Sequence, residues 1–198
     1  MIKKLEEFKF ETKHITYLSK KIPWRGEDWK SQAKEMIALK KYIHSKLEKI
    51  QDNECAYCGL ALKETSESQI EHIAPKGSDK LQRYPQFTFK ESNLVLACTF
   101  CNGFSMKGTY DTLIKVNSDY SKCEFNIVHP YFDDPSDYYS WANPQYKTII
   151  QYRSDKGKNS IKIFQLSSDE RTEARAKQYV LSTVENKSLL NDILDFKG

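Results

Sequence analysis

Four cysteines fall in two pairs, Cys55/Cys58 in CAYCG and Cys98/Cys101 in CTFC. Each pair is a tight turn that presents two sulfurs to one side. Two such turns make a closed tetrahedral S4 site suited to Zn2+. A closed site is structural: it would clamp turns 39 residues apart in the chain, and its binding energy is folding energy. An iron–sulfur cluster uses the same four ligands. A redox role lacks the βαβ surroundings of a thioredoxin-like pair. Between the pairs lies QIEHIAPKGSD. Its Glu71 offers an oxygen donor and its His72 an imidazole that is neutral near pH 7 and accepts a proton. On an ideal strand these neighbours point to opposite faces, so a bend must bring them to one site. Asn93 lies in SNLVLAC, and Asn102 follows Cys101 directly. A metal that fixes Cys101 therefore also fixes Asn102.

These residues need elements to carry them. Short strands are expected at about 70–73 and 94–97, and CNGFSMKGTYD should begin a helix or helical turn. Upstream, Trp29, Ala33, Met36, Ile37, Tyr42, Ile43, Leu47 and Ile50 recur at helical spacing, predicting a helix over about 28–50 with Asp28 at its cap. Residues 1–22 read as an arm with one strand, and 111–145 as irregular chain with HPYFDDPSDYYSW as an ordered loop. YKTIIQYR and SIKIFQL, separated by SDKGKN, predict a hairpin. Ser167 and Glu170 form a capping box for a helix over about 168–184, and SLLNDILDF predicts a last amphipathic helix. The organisation expected is an arm and helix over 1–50, a core over 51–110 and a packed C-terminal region over 111–198.

At 198 residues the chain can bury a core without staples. Hydrophobic residues make up 39% and charged residues 29%, the balance of a globular rather than a disordered chain. The opening MIKKLEEFKFETKH has no apolar segment of a secretion signal, and no run is long enough to span a membrane, so a cytoplasmic protein is expected. In a reducing compartment paired cysteines favour metal over disulfides. Net charge is +4, but residues 1–50 carry +6 and the remainder −2. The basic first quarter suits either phosphate contacts or a solvated helix face. Cys123, His14, His44 and His129 read as structural side chains, and the twelve tyrosines mostly as packing.

The order CxxC, Glu-His, Asn, CxxC-Asn, Lys from Cys55 to Lys107 resembles the HNH endonuclease family in its zinc-knuckle form. That resemblance implies an α+β fold with a ββα-metal core. It implies His72 as general base, Glu71 and Asn102 as ligands of a catalytic Mg2+ or Mn2+, and Asn93 as the residue that orients the loop of the base. Lys76 and Lys107 would hold phosphate oxygens, and the four cysteines the structural Zn2+. The implied reaction is hydrolysis of a DNA phosphodiester by water. Beyond the core, HPYFDDPSDYYSW and GKNSIKIFQLSSDERTEARAKQY resemble the small HNH proteins that accompany an SMC/ABC-type ATPase in Septu-type and retron-type anti-phage defence. There His129-Pro130 replaces an Asp-Pro and Ser92 replaces an aromatic. The rival expectation is a zinc-knuckle module that binds nucleic acid or protein and has lost its chemistry. A third is a nuclease that works only within an assembly.

Overall fold

The computed structural model describes residues 2–64, 67–81 and 83–183. It is an α+β arrangement of helices and small two-stranded antiparallel sheets. Residues 2–10 form no regular element, but Leu5, Phe8 and Phe10 are buried, and Leu5 N–H donates to Pro130 O at 2.8 Å. The regular element of the arm is a helix, α1 (Thr12–Ser19), not a strand, and His14 and Leu18, one turn apart, are its buried face.

The helix expected over 28–50 is divided. Gly26–Lys30 form a 3-10 turn, and α2 (Lys34–Gln51) begins after Ser31–Ala33, whose extended backbone interrupts the helix. Asp28 therefore caps the short turn, accepting Arg25 N–H at 2.7 Å, and Trp29 leaves the helix stripe. Met36, Leu39, Ile43 and Leu47 are the buried stripe of α2, while Ile37 is partly exposed. Gln51 ends the helix as a substitute strand: its amide donates to Leu96 O at 2.8 Å and accepts Leu96 N–H at 2.7 Å. Buried backbone groups of a sheet edge need such partners.

That edge belongs to the central pair, β1 (Ser68–His72) and β2 (Leu94–Cys98), with Glu71 opposite Val95 and His72 opposite Leu94. β2 is apolar and buried from Leu94 to Ala97, as a strand covered on both faces must be. A single helical turn, α3 (Thr99–Asn102), follows β2 at once. It is shorter than CNGFSMKGTYD suggested, because Gly103 leaves the helix and the chain turns back through Gly108, whose φ of +44° suits glycine.

The C-terminal part is more regular than its composition suggests. β3 (Leu113–Lys115) pairs with β4 (Glu124–Phe125). A turn of helix, α4 (Pro135–Tyr138), leads into β5 (Tyr139–Trp141), which pairs with β6 (Ile150–Tyr152). The expected hairpin between YKTIIQYR and SIKIFQL is not formed. Its first half supplies β6, but SDKGKNSIKI folds as α5 (Asp155–Ile163), with Ser154 capping it by accepting Gly157 N–H at 3.1 Å. Ser160 adds a buried bridge to Val128 N–H at 2.7 Å. What reads as a turn is thus a cap and first helical turn. α6 (Asp169–Thr183) lies where a helix was expected, but Ser168, not Ser167, is its cap, accepting Arg171 N–H at 3.3 Å. SLLNDILDF lies outside the described residues. One buried core draws on residues from Leu5 to Leu166 and so crosses all three expected segments.

Candidate active site and cysteine cluster

The turn after α2 carries Cys55 and Cys58, and the β2–α3 junction carries Cys98 and Cys101. Their sulfurs all lie within 4.8 Å of one another, and Cys58 Sγ is 4.0 Å from Cys98 Sγ. A tetrahedral Zn–S4 centre, with bonds of about 2.3 Å, needs sulfurs about 3.8 Å apart. The four residues fit a metal ion such as zinc. The second turn folds around sulfur: Cys98 N–H points at Cys55 Sγ and Cys101 N–H at Cys98 Sγ, each at 3.4 Å. Hydrogen bonds led by that from Cys101 hold the Cys98 and Cys58 thiols below the ordinary range, while burial pushes Cys55 above it. A dication bound here would take all four sulfurs as thiolates and release the remaining thiol protons.

Arg171, a buried residue that nothing in the sequence marked, completes the cluster from α6. Its guanidinium donates to Cys101 Sγ at 3.2 Å and reaches Cys98 Sγ at 3.9 Å, stacked over Phe100. Two turns on, Gln178 accepts Ala61 N–H at 3.0 Å and donates to Gly59 O at 3.3 Å, beside the first cysteine turn. One face of α6 therefore covers both turns. Outer-shell donors of this kind typically govern ~10–100-fold in metal affinity. Arg171→Ala should weaken Zn2+ binding by about that factor, measured by competition with a chromogenic chelator. An unchanged affinity would show that Arg171 only packs.

The second centre lies along β1 and opens into a cavity of about 330 Å³ lined by Trp29, Glu71, His72, Lys76, Arg83 and Asn102, among others. His72 is buried, with its Nε2 3.1 Å from Thr88 O and the edge of Trp29 against its ring at 4.6 Å. A carbonyl only accepts, so Nε2 carries the proton and Nδ1 remains the acceptor. Burial first, then Lys76 and Lys107, hold the imidazole down to about 3. It is therefore neutral at pH 7. Neither Trp29 nor Thr88 was identifiable from sequence: Trp29 fits the helical stripe numerically, and Thr88 acts through its backbone.

Asn93 is buried with its amide fully used. Oδ1 accepts Ala74 N–H at 2.6 Å and Tyr120 O–H at 2.7 Å, and Nδ2 donates to Ala74 O and Phe87 O. It ties the chain just after His72 to the segment that supplies Thr88. Behind it, His129 Nδ1 accepts Tyr131 N–H at 3.2 Å and Nε2 faces Tyr120 O–H at 3.1 Å, with the ring stacked on Phe132. Burial and then Lys156 keep His129 well below its ordinary value. In unfolded chain a histidine takes up a proton below about pH 6.5. The folded state does not, so His129 adds nothing to the pH dependence above that point and lowers stability below it, by about 1.4 kcal/mol per pH unit. Urea unfolding at pH 7 and pH 5 should show this loss, and His129→Gln should reduce it by one proton's worth.

Glu71 and Lys107 are arranged differently from the expectation. Lys107 is only 1% exposed. Its ammonium sits 2.5 Å from Glu71 Oε1 and donates to His72 O at 2.9 Å. It does not face a phosphate; it is the internal counter-ion of Glu71. Tyr57, stacked on Phe164 just beyond α5, donates to Glu71 Oε2. Each carboxylate oxygen thus holds one donor and retains a second lone pair. Asn102 is pinned through its nitrogen, donating to Gln69 Oε1 at 2.8 Å, and among the described residues no hydrogen-bond donor takes its Oδ1. One carboxylate and one amide oxygen on the same cavity wall fit a hard dication that keeps waters and takes substrate oxygens as further ligands. Lys76 is half-buried in the cavity wall, 3.3 Å from Gly77 O. Its position depends on close backbone packing: Gly77 has φ +75°, and a Cβ at Gly26 would lie 2.4 Å from Gly77 O.

No family model matches this chain. It resembles Septu protein PtuB. Identity is 29% over 150 aligned residues with that protein from Bacillus mycoides (strain KBAB4), covering 68% of this chain and 50% of the relative. It is 31% over 133 residues with Septu protein PtuB from Bacillus thuringiensis, covering 67% and 44%. The chain spans about half the length of these curated Septu relatives. Among the described residues no helix is long and apolar enough to cross a membrane.

Proposed function

We propose that this chain is a metal-dependent endonuclease of the HNH type that hydrolyses DNA phosphodiester bonds as a component of a Septu-type anti-phage defence system, beside an SMC/ABC-type ATPase. The defence reading is supported by the two Septu PtuB relatives. The chemical reading is carried by His72: a neutral imidazole with one nitrogen fixed on Thr88 O lines a cationic cavity that also holds Glu71 and Asn102.

Water entering this cavity would give its proton to Nδ1 of His72 as it attacks phosphorus. The Thr88 carbonyl and the Trp29 ring hold the imidazole, with Nδ1 left as the proton acceptor. A scissile phosphate beside Lys76 would oppose the cationic field on His72 and make the imidazole a stronger base in the complex than in the free protein. Lys107 holds the Glu71 carboxylate in place, and Asn93 keeps the loop after His72 in place. A divalent ion on Glu71 and Asn102 would supply charge stabilisation at the phosphate and the leaving oxygen. The test is conversion of supercoiled plasmid with and without added Mg2+ or Mn2+, wild type beside His72→Ala, with DNA binding followed separately. Cleavage should require the ion and His72, and binding should not require His72.

A further inference from the structure

Phe104, whose backbone lies against the cavity-lining Gly108, is 95% exposed, although a phenyl ring is among the side chains most favoured by burial. Its loop is not slack. Met106 N–H donates to Gly103 O at 3.0 Å and Lys107 N–H to Cys101 O at 3.3 Å. One end of the loop is thus fixed by the cysteine cluster and the other by the buried Lys107–Glu71 pair. A Cβ at Gly108 would lie 3.1 Å from Phe104 Cα, so the ring departs from backbone that touches Gly108. Gly108, Thr109 and Asn102 line the cavity. The result is an exposed aromatic ring on a hydrogen-bonded turn whose backbone adjoins a cavity with Lys76 and Arg83 in its wall.

We propose that Phe104 stacks on an unpaired base of the nucleic-acid strand whose phosphate enters this cavity, making it a substrate-positioning residue; this rests on the nuclease reading above. The complementarity is chemical. A nucleic-acid strand offers an anion and, one nucleotide away, a flat apolar face; the protein offers cations in the cavity wall and, on the adjoining turn, one flat apolar ring. Base–aromatic stacking of this kind is sequence-tolerant, because every base has a π-face. A protein partner would require a contiguous apolar patch with several buried anchors. Phe104 has Gly103, an exposed Ser105 and the half-buried Asn102 as chain neighbours, and the exposed ring four residues earlier, Phe100, is already covered on one face by the Arg171 guanidinium.

The experiment uses the full chain in the His72→Ala background with Mg2+, so that binding is read without cleavage. The probe is a single-stranded oligonucleotide with one 2-aminopurine, whose emission is quenched by stacking. The His72→Ala protein should quench it on binding. Adding Phe104→Ala should remove the quench and weaken binding about five- to hundredfold, the range for loss of one base–aromatic stack. Phe104→Trp should restore both. The slope of log affinity against log salt should be unchanged by Phe104→Ala and reduced by about 0.7 for Lys76→Ala, since only the lysine meets a phosphate. Equal affinity and quench with and without Phe104, alongside normal cleavage by the single Phe104→Ala variant, would overturn this inference, leave the nuclease reading standing and turn the ring toward a protein surface. Failure of both the wild type and His72→Ala to bind any nucleic acid would overturn both.

Discussion

Lys107→Ala should lose about 3–5 kcal/mol of unfolding free energy, the usual cost of removing one partner from a buried ion pair. The reason is not the strength of the pair itself. Both side chains are almost wholly inaccessible, at 0% and 3%, so solvent does not screen them. Without the ammonium, Glu71 would be a buried carboxylate supported by the Tyr57 hydroxyl alone, and the His72 carbonyl would lose its donor. Removing both charges together, as Lys107→Met with Glu71→Leu, should cost much less than the two single changes added, because no charge is left unpaired. The measurement is denaturant unfolding of the zinc-loaded protein. A loss below about 1 kcal/mol for Lys107→Ala would place the pair in a more solvated setting than this fold gives it.

His72→Ala should lower the cleavage rate by about 10²–10⁴-fold, the span of a general base, equivalent to about 2.7–5.4 kcal/mol of barrier. The fold should survive. The change leaves a small cavity and the Thr88 carbonyl without its donor, a penalty of about 1–3 kcal/mol that circular dichroism and unfolding would register separately. The distinguishing readout is rate against affinity: a base acts in the transition state, so DNA binding should stay near wild type while the rate falls.

The parts of this molecule that show in the sequence are those where residue type alone restricts the chemistry. Two CxxC turns have few uses in one chain, and the structure brings their four sulfurs together. β2 lies close to where the apolar run NLVLAC puts it, since a strand buried on both faces has to be written in apolar residues, and β1 lies near its expected place although its own residues are mostly polar. What the sequence does not reveal is set by single backbone events. Trp29 fits a helical stripe by count, but an extended break at Ser31–Ala33 turns it towards His72. SIKIFQL alternates as a strand would, yet the Ser154 cap commits it to a helix, and its Phe164 then supports Tyr57 beneath Glu71. Lys107 reads like any surface lysine in a phosphate-binding stretch; its burial depends on Glu71 being placed 36 positions earlier in the chain, a long-range pairing that no local pattern encodes. Arg171 was hidden for the same reason: its partners Cys98 and Cys101 belong to a distant turn.

The most direct test of His72 as the base of a metal-dependent nuclease is the plasmid assay with zinc-loaded wild-type protein, with and without Mg2+ or Mn2+, beside His72→Ala. Conversion of supercoiled plasmid should depend on the added ion and be lost in the variant, while both proteins bind DNA. Cleavage by His72→Ala at the wild-type rate would contradict the assignment of the base and, with it, the site built around Thr88 and Trp29.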